Sequence, residues 1–134
     1  MLLQPKSTKY KKFKKGKLSQ YSFKSKKLKF GTVGLKAIRS GIVTSRQIES
    51  ARQAINRKIN RKGKLWLRIY PSIPVTSKPS EVRMGKGKGS VNHWVSRVKA
   101  GQVLFEVCGI DLHLASLAFG TGKAKLPLKT IVFK

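Results

Sequence analysis

Arg83-Met-Gly-Lys-Gly-Lys-Gly89 places glycines at alternate positions, with Lys86 and Lys88 between them. Such a backbone can take positive φ and approach another chain closely. The lysines supply compact charges suited to phosphate, and Arg83 adds a planar fork of donors that can grip phosphate or a guanine edge. The chemistry on offer is the pressing of main chain and cations against a polyanion. Gly and Lys together more commonly mark a solvated, mobile loop. Nucleotide-binding loops fit poorly: the P-loop and the dinucleotide fingerprint need other spacings, and residues 78–84 are not the apolar strand that would have to precede them.

Other candidate chemistry is thin. His93 and His113 come without a nucleophile motif or metal-ligand spacing, and no paired carboxylates are present. Cys108 is the one cysteine, which excludes an internal disulfide and a cysteine-based metal cluster. It reads as a small core residue at the end of a buried strand. The expectation is a protein with no enzymatic activity, metal, cofactor or small-molecule substrate.

The rest of the chain favours polyanion binding. Thirty-one Lys and Arg face only Glu49, Glu81, Glu106 and Asp111, for a formal charge of +27, and no acid precedes Glu49. A domain so charged repels itself until a partner supplies negative charge. Nucleic acid fits better than an anionic membrane or an acidic protein. Length fits one domain, and 40% hydrophobic residues are enough for a core. No apolar run approaches a membrane span, and the start lacks the apolar stretch of a secretory signal.

Elements must hold these cations. Residues 1–30 carry eleven lysines interleaved with Tyr10, Phe13, Tyr21 and Phe23. Bases stack on aromatic faces while lysines neutralise phosphates, so this segment reads as an arm that orders on RNA. Residues 28–34 form an irregular first strand, and 34–41 a strand and turn. Thr44-Ser-Arg-Gln47 is a capping box that opens a helix over 44–62, with Ile48, Ala51, Ile55 and Ile59 on one face and Gly63 as its C-terminal cap. Its other faces carry Arg46, Arg52, Arg57, Lys58 and Arg61, with almost no acid to pair them. Lys64 to Tyr70 alternates as a half-buried strand. Pro71, Pro74 and Pro79 punctuate an extended connection to the loop. Val95–Lys99 and Gln102–Cys108 read as a hairpin about Ala100-Gly101. Asp111 caps a second helix, which Gly120 to Gly122 would end, and 128–133 is a last strand. The fold class is α+β: a mainly antiparallel sheet with two helices packed on one face, a basic N-terminal arm and a long Gly-Lys loop. The division is an arm over 1–27 and a single domain over 28–134 with its loop at 76–93.

Several motifs together resemble one family, the L-sixteen proteins of the large ribosomal subunit in their bacterial and organellar form. They are Leu3-Gln-Pro-Lys-Ser-Thr-Lys-Tyr10, Thr44-Ser-Arg-Gln-Ile-Glu-Ser-Ala-Arg52 and Gly63-Lys-Leu-Trp-Leu-Arg-Ile-Tyr-Pro71. The most specific is Thr76 through Gly89, followed in family order by Gly101-Gln-Val-Leu-Phe-Glu106 and Ala124-Lys-Leu-Pro-Leu-Lys-Thr130. The resemblance implies a structural ribosomal protein without catalysis, which binds large-subunit rRNA, adjoins neighbouring ribosomal proteins and helps late subunit assembly. The charge pattern, with which the resemblance agrees, places the expected rRNA contacts at Lys6, Lys9, Tyr10, Lys11, Lys12, Lys14, Lys15, Arg46, Arg52, Arg57, Lys58, Arg61 and Arg68. The resemblance also implies a loop of Arg83, Met84, Gly85, Lys86, Gly87, Lys88 and Gly89 that faces the aminoacyl-site tRNA near the peptidyl-transferase region. Ser7, Gln53 and Ser72 depart from the family's usual residues. The Lys-rich start and Thr76–Arg83 look organellar, which favours a mitochondrial ribosome over a plastid or bacterial one. The competing reading from charge alone is a free RNA chaperone or nucleic-acid-compacting protein.

Overall fold

The computed structural model describes residues 3–14, 16, 18, 21, 22 and 27–134; Lys15 and Phe23, named above, lie outside the described residues. Among the described residues, seven antiparallel strands and two helices run in the order β1 (Val33–Ala37), β2 (Gly41–Thr44), α1 (Ser45–Lys58), β3 (Lys64–Leu67), β4 (Ile73–Ser77), β5 (Ser90–Val98), β6 (Val103–Cys108), α2 (Leu112–Lys123) and β7 (Thr130–Phe133). The α+β class holds. The strands divide into a four-stranded sheet, β3-β6-β1-β7, and a three-stranded sheet, β2-β5-β4. In β6, Val103 to Val107 are all buried, so this strand suits the interior of the larger sheet between β1 and β3.

The expected β5–β6 hairpin does not form. β5 pairs with β2 and β4, whereas β6 pairs with β1 and β3. The turn between them is stitched to the end of β1: Gly101 N–H donates to the Ala37 carbonyl at 2.7 Å, and Ala37 N–H donates to the Gln102 carbonyl at 2.9 Å. Those two bonds draw the chain into the other sheet. The connection after β3 likewise contains an unforeseen strand, β4. Pro74 fits inside it because β4 is an edge strand paired only with β5.

The capping box of α1 forms as expected: Thr44 Oγ1 accepts the Gln47 N–H at 3.3 Å and Gln47 Oε1 accepts the Thr44 N–H at 2.9 Å. Ile48, Ala51, Ile55 and Ile59 are buried. The helix stops at Lys58, short of residue 62, because Asn60 and Arg61 turn left-handed at φ 51° and 61°. Asp111 caps α2, accepting the His113 N–H at 3.2 Å. Contrary to expectation, α2 runs through Gly120 and Gly122. A Cβ on Gly122 would lie 2.5 Å from Ile55 Cγ1, so the glycine lets α2 press onto α1. The core joins Ile48, Ala51 and Ile55 of α1, Ala115, Ala118 and Phe119 of α2, and Leu35, Phe105 and Val107 of the larger sheet. Leu3, eight per cent exposed, also packs into this core.

Candidate nucleic-acid interface

The Gly-Lys loop is the tip of the β4–β5 hairpin. Ser77 and Ser90 close its base as a strand pair, and Lys78 to Lys88 are exposed throughout. Gly85, Lys86 and Gly87 take φ of 103°, 53° and 81°, three consecutive left-handed residues. Nothing lies within 4 Å of where a Cβ would stand on Gly85 or Gly87. Glycine is therefore needed there for its backbone conformation and not for space. Lys78 Nζ donates to the Gly85 carbonyl and braces the turn. Met84 is 98% exposed at the tip, and Arg83 and Lys86 are exposed beside it.

The basic arm meets this loop. Lys12 Nζ donates to the Lys88 carbonyl at 2.6 Å, and Lys88 Nζ donates to the Phe13 carbonyl at 2.6 Å. Arg97 on β5 donates to the Lys14 carbonyl at 3.0 Å. Farther along, Tyr21 bridges Ala100, and the Ser22 N–H donates to the Ala100 carbonyl at 2.8 Å. Two like-charged segments are thus held together by ammonium and guanidinium groups on backbone carbonyls. Lys6, Lys9, Lys11, Lys12 and Lys14 remain exposed, with Lys9 Nζ 5.7 Å from the Tyr10 ring centroid. Arg97 was not among the expected residues; only its place in a strand flanking the loop could have suggested it.

The cations of α1 fall into two groups. Arg46, in the first turn, lines a small pocket with Asn92 and His93 at the foot of the loop hairpin. Arg57 lies eleven residues on, about 17 Å along the axis by helical rise. There Arg52, Arg57 and Arg61 line a hollow of about 260 Å³ with Gln53 and Asn56. Arg57 and Lys58 also border a groove against Leu114 and Leu117 of α2. Arg52 is partly neutralised by Glu49 at 2.7 Å; that hydrogen bond holds the Glu49 carboxyl down at about 2.

Arg68 differs from the other expected rRNA contacts. Its guanidinium pairs with Glu106, whose side chain is fully buried, and lies against the Phe30 ring. Arg68 therefore serves inside the fold first. The other Glu106 oxygen accepts backbone N–H bonds from Lys29, Phe30 and Gly31 at 3.1, 2.7 and 3.0 Å. Burial pushes this carboxyl up, but the three N–H donors and the Arg68 charge outweigh it and hold it below its ordinary value. The signal that could have found it is a lone acid in the otherwise apolar run Val103-Leu-Phe-Glu-Val107. Among the described residues, no cluster of His, Cys, Asp and Glu could hold a metal, and no helix is long and apolar enough to cross a membrane. Described ion pairs engage Glu49 and Glu106 alone.

Residues 5–133 match the family described as ribosomal protein L16p/L10e. The chain is 53% identical over 129 residues to the large ribosomal subunit protein uL16 of Halorhodospira halophila, covering 96% of this chain and 94% of that one. It is 52% identical over 131 residues to uL16 of Sphingopyxis alaskensis, covering 98% and 92%. For uL16 of Hyphomonas neptunium the identity is 51% over 133 residues, covering 99% and 96%.

Proposed function

The chain belongs to the ribosomal protein L16p/L10e family, and from that premise we propose how its basic surface is used. It is a structural constituent of the large ribosomal subunit and not an enzyme. It binds large-subunit rRNA, sits among neighbouring ribosomal proteins and helps shape the aminoacyl-tRNA site. In our reading the arm over residues 1–27 and the cations of α1 contact rRNA backbone. The Arg83–Gly89 loop on the domain over 28–134 faces the tRNA site near the peptidyl-transferase region. The observation that supports this arrangement is the joining of arm and loop through Lys12, Lys88 and Phe13. It brings the described part of the arm and the tip of the loop together. RNA approaching that junction would meet exposed backbone, ammonium groups and the Tyr10 ring together.

The test is the combined variant Arg83→Ala, Lys86→Ala and Lys88→Ala. These side chains are exposed and build no core, so the thermal midpoint should stay within a few degrees of wild type. Subunit maturation or tRNA accommodation should be impaired. Normal polysome profiles and translation in this variant would overturn the role of the loop. The compartment is a further part of the proposal. The acid-free start and Thr76–Arg83 are its only support for a mitochondrial ribosome, whereas the relatives above are bacterial and do not favour one. Cell fractionation followed by immunodetection in isolated ribosomes decides between them.

A further inference from the structure

Lys64, Trp66 and Arg68 occupy alternate positions along and just beyond β3, so they share one face, opposite to Leu65, Leu67 and Ile69, which pack toward the core. Phe30 lies over that outer face. Its ring is 6.0 Å from Trp66 between centroids, with planes 21° apart, and the Arg68 guanidinium carbon is 5.2 Å from the Phe30 centroid. Lys64 Nζ stands 5.3 Å from the centroid of Trp66. The outcome is a pair of stacked rings at an edge strand, with Lys64 near one ring, Arg68 near the other, and Phe30 still open to water. Glu106 sets its geometry: it is the strand partner of Trp66, and it accepts the N–H groups of Lys29, Phe30 and Gly31. Yet Phe30 remains 56% exposed. A ring oriented by three backbone bonds to a buried carboxylate, and still open to water, is poorly explained as core packing.

We propose that Phe30 and Trp66 form a seat on which an unpaired nucleobase of rRNA stacks, with Lys64 and the exposed Lys29 taking the adjoining phosphates. This rests on the rRNA-binding reading above and adds a site that lies outside the arm, the loop and the cations of α1. Base–aromatic stacking is sequence-tolerant and strong enough to matter beside phosphate contacts. The seat is already ordered, so little side-chain freedom is lost on binding. The exposed Lys29 and Lys64 beside the rings favour a nucleotide over an apolar protein surface. The seat also lies where the basic arm joins the domain, so RNA tracking the arm is delivered to it.

Short-wavelength ultraviolet irradiation of isolated large subunits, followed by mass spectrometry of peptides, tests this directly. The expected result is a nucleotide adduct on Phe30 or Trp66. In parallel, Phe30→Leu keeps an apolar cover over Trp66 and removes the aromatic face. Binding of the full chain to deproteinised large-subunit rRNA should weaken about tenfold. The salt slope should not change, because no phosphate contact is removed. Adducts on arm and loop peptides with none at Phe30 or Trp66, and unaltered affinity in Phe30→Leu, would sink the seat while leaving rRNA binding in place. Cross-links from Phe30 to another ribosomal protein would assign the patch to a protein neighbour and overturn the proposal. An absence of adducts anywhere on the chain, with no preference for rRNA over generic RNA, would remove the underlying reading and the seat with it.

Discussion

Glu106 shows how much a single carboxylate can organise when acids are this scarce. It holds Arg68, three consecutive backbone N–H groups and, through them, the ring of Phe30. Glu106→Gln keeps the shape but removes the charge that Arg68 and the N–H groups face. A loss of about 2–3 kcal/mol in urea unfolding is expected. The native carboxyl binds its proton more weakly than the unfolded one, so its ionisation stabilises the fold. That contribution is complete above about pH 6 and fades as the pH falls through the ordinary carboxylate range toward the depressed native value. The difference between wild type and Glu106→Gln should therefore shrink on acidification. A difference that stays constant into the acid range would contradict this account. Glu49, whose pair with Arg52 stands on the helix surface, should contribute little by comparison. In the sequence Glu106 was visible as an oddity, but its four donors come from residues 29–31 and 68 and could not be read from spacing.

At the level of elements, the α1–α2 crossing separates local propensity from tertiary contact. Gly120 and Gly122 look alike in sequence, and both argue for an early end to α2. Only Gly122 touches Ile55; nothing lies within 4 Å of a Cβ at Gly120. Gly122→Ala should destabilise the protein by about 1–3 kcal/mol through overpacking. Gly120→Ala should stabilise it by about 0.5–1 kcal/mol through helix propensity. Chemical denaturation of the two variants reads both signs, and equal effects would reject the crossing described. Thr130 offers a second check, since its buried Oγ1 has no hydrogen-bond partner among the described residues. Thr130→Val should be neutral or stabilising by up to about 1 kcal/mol in the same assay. The capping box at Thr44 and the cap at Asp111 were legible because each needs only three or four consecutive residues. The β5–β6 hairpin was misread because an alternating pattern names a strand but not its partner.

For the whole molecule, charge dominates behaviour. With +27 on 134 residues, affinity for any RNA should fall steeply with salt, by about 0.7–0.9 in log affinity per log salt for each phosphate neutralised. Folded positioning of the arm, loop and α1 adds shape to that charge. In a salt series, a large-subunit rRNA fragment should stay bound after generic RNA of equal length has dissociated. Parallel decline of the two along one line would leave only a polycation, and the free-chaperone reading would replace the ribosomal one. Near-stoichiometric retention in large subunits after a high-salt wash is the matching expectation in extracts.

The sequence by itself determined the class of partner, the family, the helix starts and the core-facing residues of α1. Those depend on composition, on motifs of adjacent residues and on short periodicities, all local to the chain. The tertiary structure alone decided that the strands split into two sheets, that the arm meets the loop, and that Arg68 turns inward to Glu106. It also decided that Phe30 is laid over Trp66. Each of these joins residues tens of positions apart, where loop-closure entropy opposes the contact and only the sum of core packing and satisfied backbone donors selects it.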